Sequence, residues 1–427
     1  MIGRRALLRY ASGVSGASAA TLAGLAGCAS TGSARPRIVI VGGGFGGATC
    51  ARTLRVALPS ARITLIVREA TYTACPFSNL VIAGLRELPV QQFGYATLAA
   101  LGIEVRIAAA RDVDAARRSV TLANGERLTY DRLVLSPGID VDYAALPGYD
   151  RAASERLPHA WQAGAQTLLL REQLRAMPAD GLVVMTIPEN PYRCPPGPYE
   201  RASLIAHYLR THKPGARLLL LDAKDRFSKM SLFRAAWRER YGDRLQWLGA
   251  ADGARVIGVD ADARRVFTDF DEYAADVINV VPPQKAGAIA ARAGVADASG
   301  WCPVYAATFA ATLAERIHVI GDAAIANAMP KSAFAANAQG RLVGLQIARL
   351  LGDQEPLDTT LLNTCYSLVA PDYGISVAGV YRPNGERWAE VPGAGGTSPL
   401  DAPAASRALE ARYARDWFTA ITRDVFG

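Results

Sequence analysis

The sequence RIVIVGGGFGGATCARTLRVAL, residues 37–58, predicts a buried β-strand, a glycine turn and an α-helix in succession. Gly42, Gly44 and Gly47 supply the pattern G-x-G-x-x-G. The first glycine allows a tight turn, the second lets the backbone approach a pyrophosphate, and the third lets the helix pack closely on the strand. The free N–H groups and the dipole of the helix N-terminus favour an anion at the same place. Because the pattern directly follows a β-branched run, it predicts a dinucleotide-binding unit.

The next apolar run, RITLIV at residues 62–67, is predicted to be the second strand of this unit. Such a strand usually ends in an acidic residue, whose carboxylate binds a ribose hydroxyl. Val67 occupies that place, and Glu69 follows two residues later. Either Glu69 makes the ribose contact instead, or that contact is weaker. Cys50, on the predicted helix, is interpreted as a buried packing residue.

Two later segments favour FAD over NAD as the dinucleotide. VTLANGERLTYDRLVLSPG, residues 120–138, predicts a hairpin with an Asn124-Gly125 turn and then a strand that ends in Ser-Pro-Gly. RIHVIGDAAIANAMPKSAFAANAQGRLVGLQIARLL, residues 316–351, predicts a strand, Gly321-Asp322, a loop and a long helix. In flavoproteins this aspartate holds the ribityl chain, and the helix N-terminus faces the pyrimidine end of the flavin. The residues expected to bind FAD are Gly42, Gly44, Phe45, Gly47, Glu69, Cys75, Ser136, Pro137, Gly138, Gly321, Asp322, Lys331 and Ser332.

Between these segments lies an inserted unit whose strands are GLVVMTI and ARLLLLDA. The loop that follows its first strand, MTIPENPYRCPPGPYERAS at residues 185–203, lacks the G-x-G-x-x-G pattern and holds five prolines and Cys194. Proline donates no N–H, and its ring obstructs close approach, so a pyrophosphate has no cradle there. The inserted unit is therefore predicted to resemble a nicotinamide domain without binding NADH.

The N-terminal 34 residues have the layout of an export signal. A basic start with RRALLR fits the twin-arginine pattern, and a weakly apolar run too short to span a bilayer follows it. LAGC, which ends at Cys28, also resembles a lipoprotein cleavage box, so two outcomes stay open: a lipid anchor on Cys28, or cleavage near Ala29 or Ala34. In either case we expect a periplasmic protein with no membrane span in its mature chain.

The composition is that of an α/β enzyme, with 50% hydrophobic residues and 39 glycines among 427 residues. The net charge of +8 includes three leader arginines, and no basic block with interleaved aromatics is present, which argues against nucleic-acid binding. The four histidines show no metal-ligand spacing.

Together these segments resemble the flavoprotein subunit of flavocytochrome c sulfide dehydrogenase. The motifs that carry the resemblance are GGGFGGAT, CPFSNLVIAG, LPHAWQAGAQT, RCPPGPYERAS, WCPV, IGDAAIANAMPKS, NTCYS, YGISVAGVYRPN and the final FG. The resemblance implies an enzyme that oxidises sulfide to sulfur or polysulfide and passes electrons to a c-type haem. It implies further that Cys75 bonds FAD as a thioether, and that Cys194 and Cys365 form a redox disulfide beside the flavin. No C-x-x-C-H occurs in the sequence, so the haem would belong to a cytochrome subunit or a soluble cytochrome c.

The predicted fold is α/β, with two Rossmann-like domains arranged as in glutathione reductase and an α+β interface domain at the C-terminus. The predicted bounds are 1–34 for the signal, 35–150 and 286–345 for the split FAD domain, 151–285 for the inserted domain and 346–427 for the interface domain. The interface domain includes an amphipathic helix, ALEARYARDWFTAITRDVFG, which is expected to complete the flavin site.

Several roles stay open. Glu200 is interpreted either as a proton acceptor for the cysteines or as a carboxylate favoured at a helix start. Lys331 either faces the flavin pyrimidine or is solvated, and Cys302 is interpreted as structural. The alternative functions are a sulfide:quinone oxidoreductase, which shares the fold and a cysteine pair, and a flavoprotein that binds FAD without turnover.

Overall fold

A five-stranded parallel sheet, called the first sheet, contains the strand that precedes the glycine turn. The structure, a computed structural model, describes residues 35–427; the export signal and Cys28 lie outside the described residues. The strand order is Ile317–Val319, Arg132–Leu135, Arg37–Val41, Arg62–Val67 and Glu104–Ile107. The strand nearest the C-terminus thus pairs with one from the N-terminal half, so both halves of the chain build this sheet.

Two helices pack against each other beside the first sheet: Phe45–Ala57, which follows the glycine turn, and Ala333–Leu351. Glycines let their backbones approach. A Cβ atom on Gly340 would lie 2.3 Å from the Gly46 carbonyl oxygen, and one on Gly344 would lie 2.8 Å from the Thr53 side chain. This close packing directs the N-termini of both helices toward the same edge of the sheet.

The second sheet is also parallel, in the order Leu245–Leu248, Arg217–Asp222, Leu182–Ile187 and Val277–Val280. It confirms both strands predicted for the inserted unit. Its helices are Ala165–Ala176, Gly197–His212 and Met230–Arg240. The proline-rich loop lies between strand Leu182–Ile187 and helix Gly197–His212, as the sequence predicts.

The third sheet is antiparallel and contains Leu361–Ala370, Tyr373–Asn384, Arg387–Glu390 and Gly396–Thr397. The long helix Ala404–Phe426 packs on it, which confirms the C-terminal helix. The hairpin at the Asn124-Gly125 turn is also confirmed, because Ser119–Leu122 pairs with Arg127–Thr129. Residues 36–427 form one compact unit, and the predicted domain bounds inside it stay predictions.

The remaining elements are short and connect the three sheets. The helices are Ser78–Ile82, Ala96–Ala100, Arg151–Ser154 and Ile289–Arg292. The strands are Tyr72–Thr73, Gln92–Phe93, Ala110–Asp114, Ile139–Val141, Val256–Asp260, Arg265–Thr268, Glu272–Ala274, Gln284–Ala286, Cys302–Pro303 and Ala324–Ile325. Within residues 35–427, no helix is both long and apolar enough to cross a bilayer.

Candidate functional site

A cleft of about 720 Å³ is lined by residues of the first sheet, the proline-rich loop and the third sheet. Its volume lies in the range of sites that enclose a cofactor. Its lining includes the glycine turn, Cys75, Cys194, Glu200, Asp322 and Cys365. Of the sixteen residues predicted for the site, Gly47 and Lys331 are the two that do not line the cleft. The fold thus brings together residues that are far apart in the sequence.

The glycine turn has the geometry that a bound pyrophosphate requires. Gly42 has φ +103°, and a Cβ atom there would lie 2.2 Å from the Ser136 carbonyl oxygen. A Cβ atom on Gly47 would lie 1.9 Å from the Gly42 carbonyl oxygen, so this glycine allows close packing of helix on strand and needs no contact with the cleft. Helix Phe45–Ala57 begins at the cleft with no side chain capping its N–H groups. These N–H groups are free to bind the phosphates of a dinucleotide.

At the end of strand Arg62–Val67, a buried valine occupies the position that is usually acidic. Val67 is buried, whereas Glu69 is exposed and lines the cleft two residues further on. Glu69 is therefore the carboxylate at the position where a ribose would lie. The contact itself stays a prediction.

The opposite end of the cleft is formed by Gly321-Asp322 and the start of helix Ala333–Leu351. The Ser332 hydroxyl caps this helix by accepting a hydrogen bond from the Ala335 N–H at 3.0 Å. The Gly321 N–H donates to Gln339 Oε1 at 2.7 Å, which fixes the turn to the helix. The helix N-terminus and Asp322 thus face the same cavity, as the sequence predicts for a flavin site.

Lys331 takes neither of the two positions considered for it. Its Nζ donates to the carbonyl oxygens of Asp322 at 2.7 Å and Ala324 at 2.8 Å, and it lies 3.9 Å from the centroid of the Trp301 ring. Burial lowers the pKa of this ammonium to about 8. Lys331 does not line the cleft but stabilises the Gly321-Asp322 turn through these hydrogen bonds. It can therefore affect a cofactor only by positioning that turn.

Arg193 connects Cys75 to Asp322, and the sequence analysis missed it. Its Nη1 lies 3.2 Å from Cys75 Sγ, and its Nε donates to Asp322 Oδ2 at 2.7 Å. Its backbone N–H donates to Gln284 Oε1 at 2.9 Å, so the residue is held at both ends. The one signal in the sequence is that Arg193 directly precedes Cys194.

Cys194 and Cys365 meet at the cleft although 171 residues separate them in the sequence. Their side chains lie close enough for each thiol to shift the pKa of the other. Cys194 has φ +57°, and its N–H donates to the Lys331 carbonyl oxygen at 2.7 Å, whereas Cys365 lies on strand Leu361–Ala370. The structure has both as free thiols. The disulfide between them therefore stays a prediction. The two side chains lie in the same cleft, as such a bond requires.

Two oppositely charged side chains flank the cysteine pair. Glu200 accepts hydrogen bonds from Asn79 Nδ2 at 2.9 Å and from the Leu368 N–H at 2.8 Å. Its partners thus lie outside its own helix, and burial raises its pKa. Lys229, a residue the sequence analysis missed, donates to the Cys365 carbonyl oxygen at 2.8 Å and to Ser367 Oγ at 2.9 Å.

These neighbours make the two thiols unequal. The pKa of Cys365 is lowered by the hydrogen bond from the Cys194 thiol and by the Lys229 ammonium. The pKa of Cys194 is raised by that same hydrogen bond, by burial and by the Glu200 carboxylate. In the dithiol state, Cys365 is therefore the sulfur that carries a negative charge more readily. The thiolate form is the reactive form of cysteine.

In the second sheet, the acidic residue that could bind the ribose of NAD is buried and hydrogen-bonded within the protein. Strand Arg217–Asp222 ends in an acid, as an NAD-binding strand does, but Asp222 is fully buried. Its carboxylate accepts hydrogen bonds from the Tyr199 hydroxyl at 2.6 Å, Lys224 Nζ at 2.7 Å and Trp247 Nε1 at 3.1 Å. It has no free oxygen to offer a ribose.

The cysteines interpreted as structural lie away from the cleft. Cys50 and Cys302 are fully buried, and burial raises the pKa of both thiols. Across the part of the chain that the structure describes, no three His, Cys, Asp or Glu side chains come together as a metal site.

Three family models match parts of the chain. The model for the flavoprotein chain of flavocytochrome c sulfide dehydrogenase, central part, matches residues 167–282, and the model for its flavin-binding part matches residues 358–426. The model for pyridine nucleotide-disulphide oxidoreductases matches residues 36–175. The first of these covers the second sheet, the next covers the third sheet and the C-terminal helix, and the last covers the glycine turn.

Two known proteins are similar to this chain in sequence, and one solved structure is similar to it in fold. The sulfide dehydrogenase flavoprotein chain of Chlorobaculum thiosulfatiphilum is 51% identical over 45 residues, 10% of this chain and 94% of that one. Mitochondrial sulfide:quinone oxidoreductase of Mus musculus is 21% identical over 341 residues, 75% of this chain and 72% of the mouse protein. The structure of Aquifex aeolicus sulfide:quinone oxidoreductase superposes with a TM-score of 0.71 at 17% identity, over 91% of this chain and 92% of that one. The last likeness establishes the fold that both proteins share.

Proposed function

Since the chain belongs to the family of flavocytochrome c sulfide dehydrogenase flavoprotein chains, we propose that it oxidises sulfide at the Cys194–Cys365 pair and passes the electrons to a c-type cytochrome. The observation that carries the proposal is the convergence of these two cysteines in the wall of a cleft that has the features of a dinucleotide site. Family membership supports FAD as the cofactor. The glycine turn and the uncapped N-terminus of helix Phe45–Ala57 fit its pyrophosphate. The N-terminus of helix Ala333–Leu351 fits its flavin end.

The chemistry begins with the pair as a disulfide. Hydrosulfide attacks one sulfur, the S–S bond breaks, and one cysteine becomes a persulfide while the other leaves as a thiolate. The lowered pKa of Cys365 favours that residue as the thiolate and Cys194 as the persulfide. A second hydrosulfide then attacks the outer sulfur of the persulfide and leaves as a hydrodisulfide anion, so that the pair becomes a dithiol. Two sulfides thereby lose two electrons in total.

When bound, FAD accepts the two electrons that are released as the dithiol returns to the disulfide, and it can deliver them one at a time. Side chains of this protein stabilise the thiolate and hold the proton of the preceding steps. Lys229 faces the thiolate, and the raised pKa of Glu200 makes it able to hold a proton beside the pair. Asp322 and the N-terminus of helix Ala333–Leu351 position the cofactor at the other side of the cleft.

Further parts of the proposal concern attachment, partner and location. Cys75 lines the cleft and is proposed to bond FAD covalently as a thioether. A separate cytochrome subunit or a soluble cytochrome c is proposed as the acceptor. Export to the periplasm, with or without a lipid on Cys28, is proposed from the leader and is tested by fractionation and by mass spectrometry of the mature N-terminus.

The decisive experiment is rapid mixing of the purified flavoprotein with sulfide, followed by reoxidation with cytochrome c or with a quinone. Sulfide should bleach the flavin, and Cys194→Ser and Cys365→Ser should each abolish this bleaching while FAD stays bound. Cys302→Ala, which changes a buried cysteine outside the cleft, is the matched control and should react like the wild type. Near-normal sulfide oxidation by both serine variants would refute the mechanism. Faster reoxidation by the quinone would favour the second candidate, a sulfide:quinone oxidoreductase, which the similarity to the mouse enzyme supports.

A further inference from the structure

Arg193 is placed to act on the sulfur of Cys75. Its Nη1 is 3.2 Å from Cys75 Sγ and also 3.2 Å from the Trp161 carbonyl oxygen, and its Nε is paired with Asp322 at 2.7 Å. The side chain is only 18% exposed, so solvent screens its charge weakly. Gly138 makes room for it, because a Cβ atom there would lie 3.1 Å from Arg193 Nη2.

The other ionisable groups around Cys75 are occupied or neutral. Burial raises the pKa of Tyr72, which stays a neutral phenol. The guanidinium of Arg201 donates to the carbonyl oxygens of His159 and Ala160 and to Asn79 Oδ1. Asp322 is paired with Arg193 itself. Among the residues that the structure describes around Cys75, Arg193 is therefore the cation that is hydrogen-bonded to its sulfur.

A positive group within hydrogen-bond distance of a cysteine favours the thiolate, which is the nucleophilic form. We propose that Arg193 is the positioning residue that orients the Cys75 sulfur and stabilises its negative charge during its covalent attachment to FAD. This inference rests on the attachment to Cys75 proposed above. In the step, the Cys75 sulfur forms a bond to the methyl carbon of oxidised FAD, and a C–H bond of that methyl group breaks. The proton goes to solvent, and the electron pair reduces the isoalloxazine by two electrons, which the enzyme's own electron acceptor then removes.

The test measures attachment separately from binding. Total flavin is measured on the folded protein after gel filtration, and covalent flavin is what remains with the protein after acid precipitation. Arg193→Met should lower the ratio of covalent to total flavin roughly tenfold or more at pH 7, the size expected for loss of one hydrogen bond to a charged group.

Two further variants keep the test decisive. Arg193→Lys retains the charge and should attach flavin at an intermediate level, even if Arg193→Met binds little of it. Arg171→Met is the matched control, since Arg171 is also an enclosed arginine, 15% exposed and paired with Glu87 at 3.1 Å, but lies outside the cleft. It should attach flavin like the wild type.

Three results would overturn the assignment. If the wild type attaches flavin and Arg193→Met does so equally well, Arg193 has no part in the attachment and the proposed function is unaffected. If Arg193→Lys is as deficient as Arg193→Met, the residue is merely structural. If the wild type itself releases all its flavin into the acid supernatant, the covalent attachment fails, and the role of Arg193 fails with it.

Discussion

Replacement of Phe426 by alanine should destabilise the protein strongly, although this residue is the last but one of the chain. The Phe426 ring is 6% exposed and lies 5.3 Å from the ring of Tyr72 and 5.2 Å from the ring of Phe93, both stacked. It also meets Phe45 and Tyr95 edge to face, at 5.9 and 6.3 Å. Truncation of a buried phenylalanine costs about 3–5 kcal/mol, because a cavity remains where the ring was. We expect a loss in this range.

The assay is urea unfolding followed by circular dichroism, on fractions selected for equal flavin content. Tyr413→Ala is the control, because Tyr413 lies on the same helix but is 47% exposed. Its effect should stay within about 0.5 kcal/mol, as for most surface changes. Phe45 and Tyr72 line the cleft, so Phe426→Ala should also be purified with less flavin. A loss below about 1 kcal/mol together with full flavin content would refute the argument that the C-terminal helix completes the cofactor site.

Three further outcomes are expected. NADH at micromolar concentration should leave the visible absorbance of the flavin unchanged, because Asp222 is buried and fully hydrogen-bonded; rapid bleaching would contradict this. Burial lowers the pKa of His159 from 6.5 to about 4, so the folded protein binds this proton less tightly than the unfolded chain and loses stability as the pH falls from about 6.5 toward about 4. Urea unfolding at pH 7 and pH 5 should therefore show a smaller loss for His159→Asn than for the wild type, and equal losses would exclude His159 as a cause. Lys229→Met should slow the alkylation of Cys365 by iodoacetamide in the reduced protein, since the thiol pKa rises when the ammonium is removed. Lys213→Met is the control, because the Lys213 ammonium donates to the Met177 carbonyl oxygen at the far end of helix Gly197–His212, and it should leave the rate unchanged.

The glycine turn could be predicted because its constraint is local. A Cβ atom on Gly47 would lie 1.9 Å from the carbonyl oxygen of Gly42, only five positions earlier in the sequence. The same holds for the hairpin turn and for the strands of the second sheet, where apolar runs and turn residues carry the information. Residues close together in the sequence determine these features, so the sequence alone predicts them.

Arg193 and Lys229 could not be predicted in the same way. Arg193 lies 118 residues from Cys75 in the sequence, and Lys229 lies 136 residues from Cys365. A single cation inside a loop has no period or spacing that distinguishes it from a solvated one. The direction of the Lys331 side chain was missed for a related reason: its backbone neighbours line the cleft, but its ammonium finds carbonyl oxygens beneath the turn. The pairing of Cys194 with Cys365 came from the family resemblance and not from spacing.

The proline-rich loop explains how the second Rossmann-like unit takes part in this site. Two consecutive residues of the loop serve the two parts of the cleft: Arg193 contacts Cys75 and Asp322, and Cys194 lines the cleft together with Cys365. Their backbone N–H groups are held by Gln284 and by the Lys331 carbonyl oxygen, on segments outside the loop. The flanking prolines further restrict the backbone. The loop thus fixes the distance between the attachment site and the redox pair, so a change that displaces Arg193 should also displace Cys194. The glycine-rich turn of an NAD site would provide neither side chain.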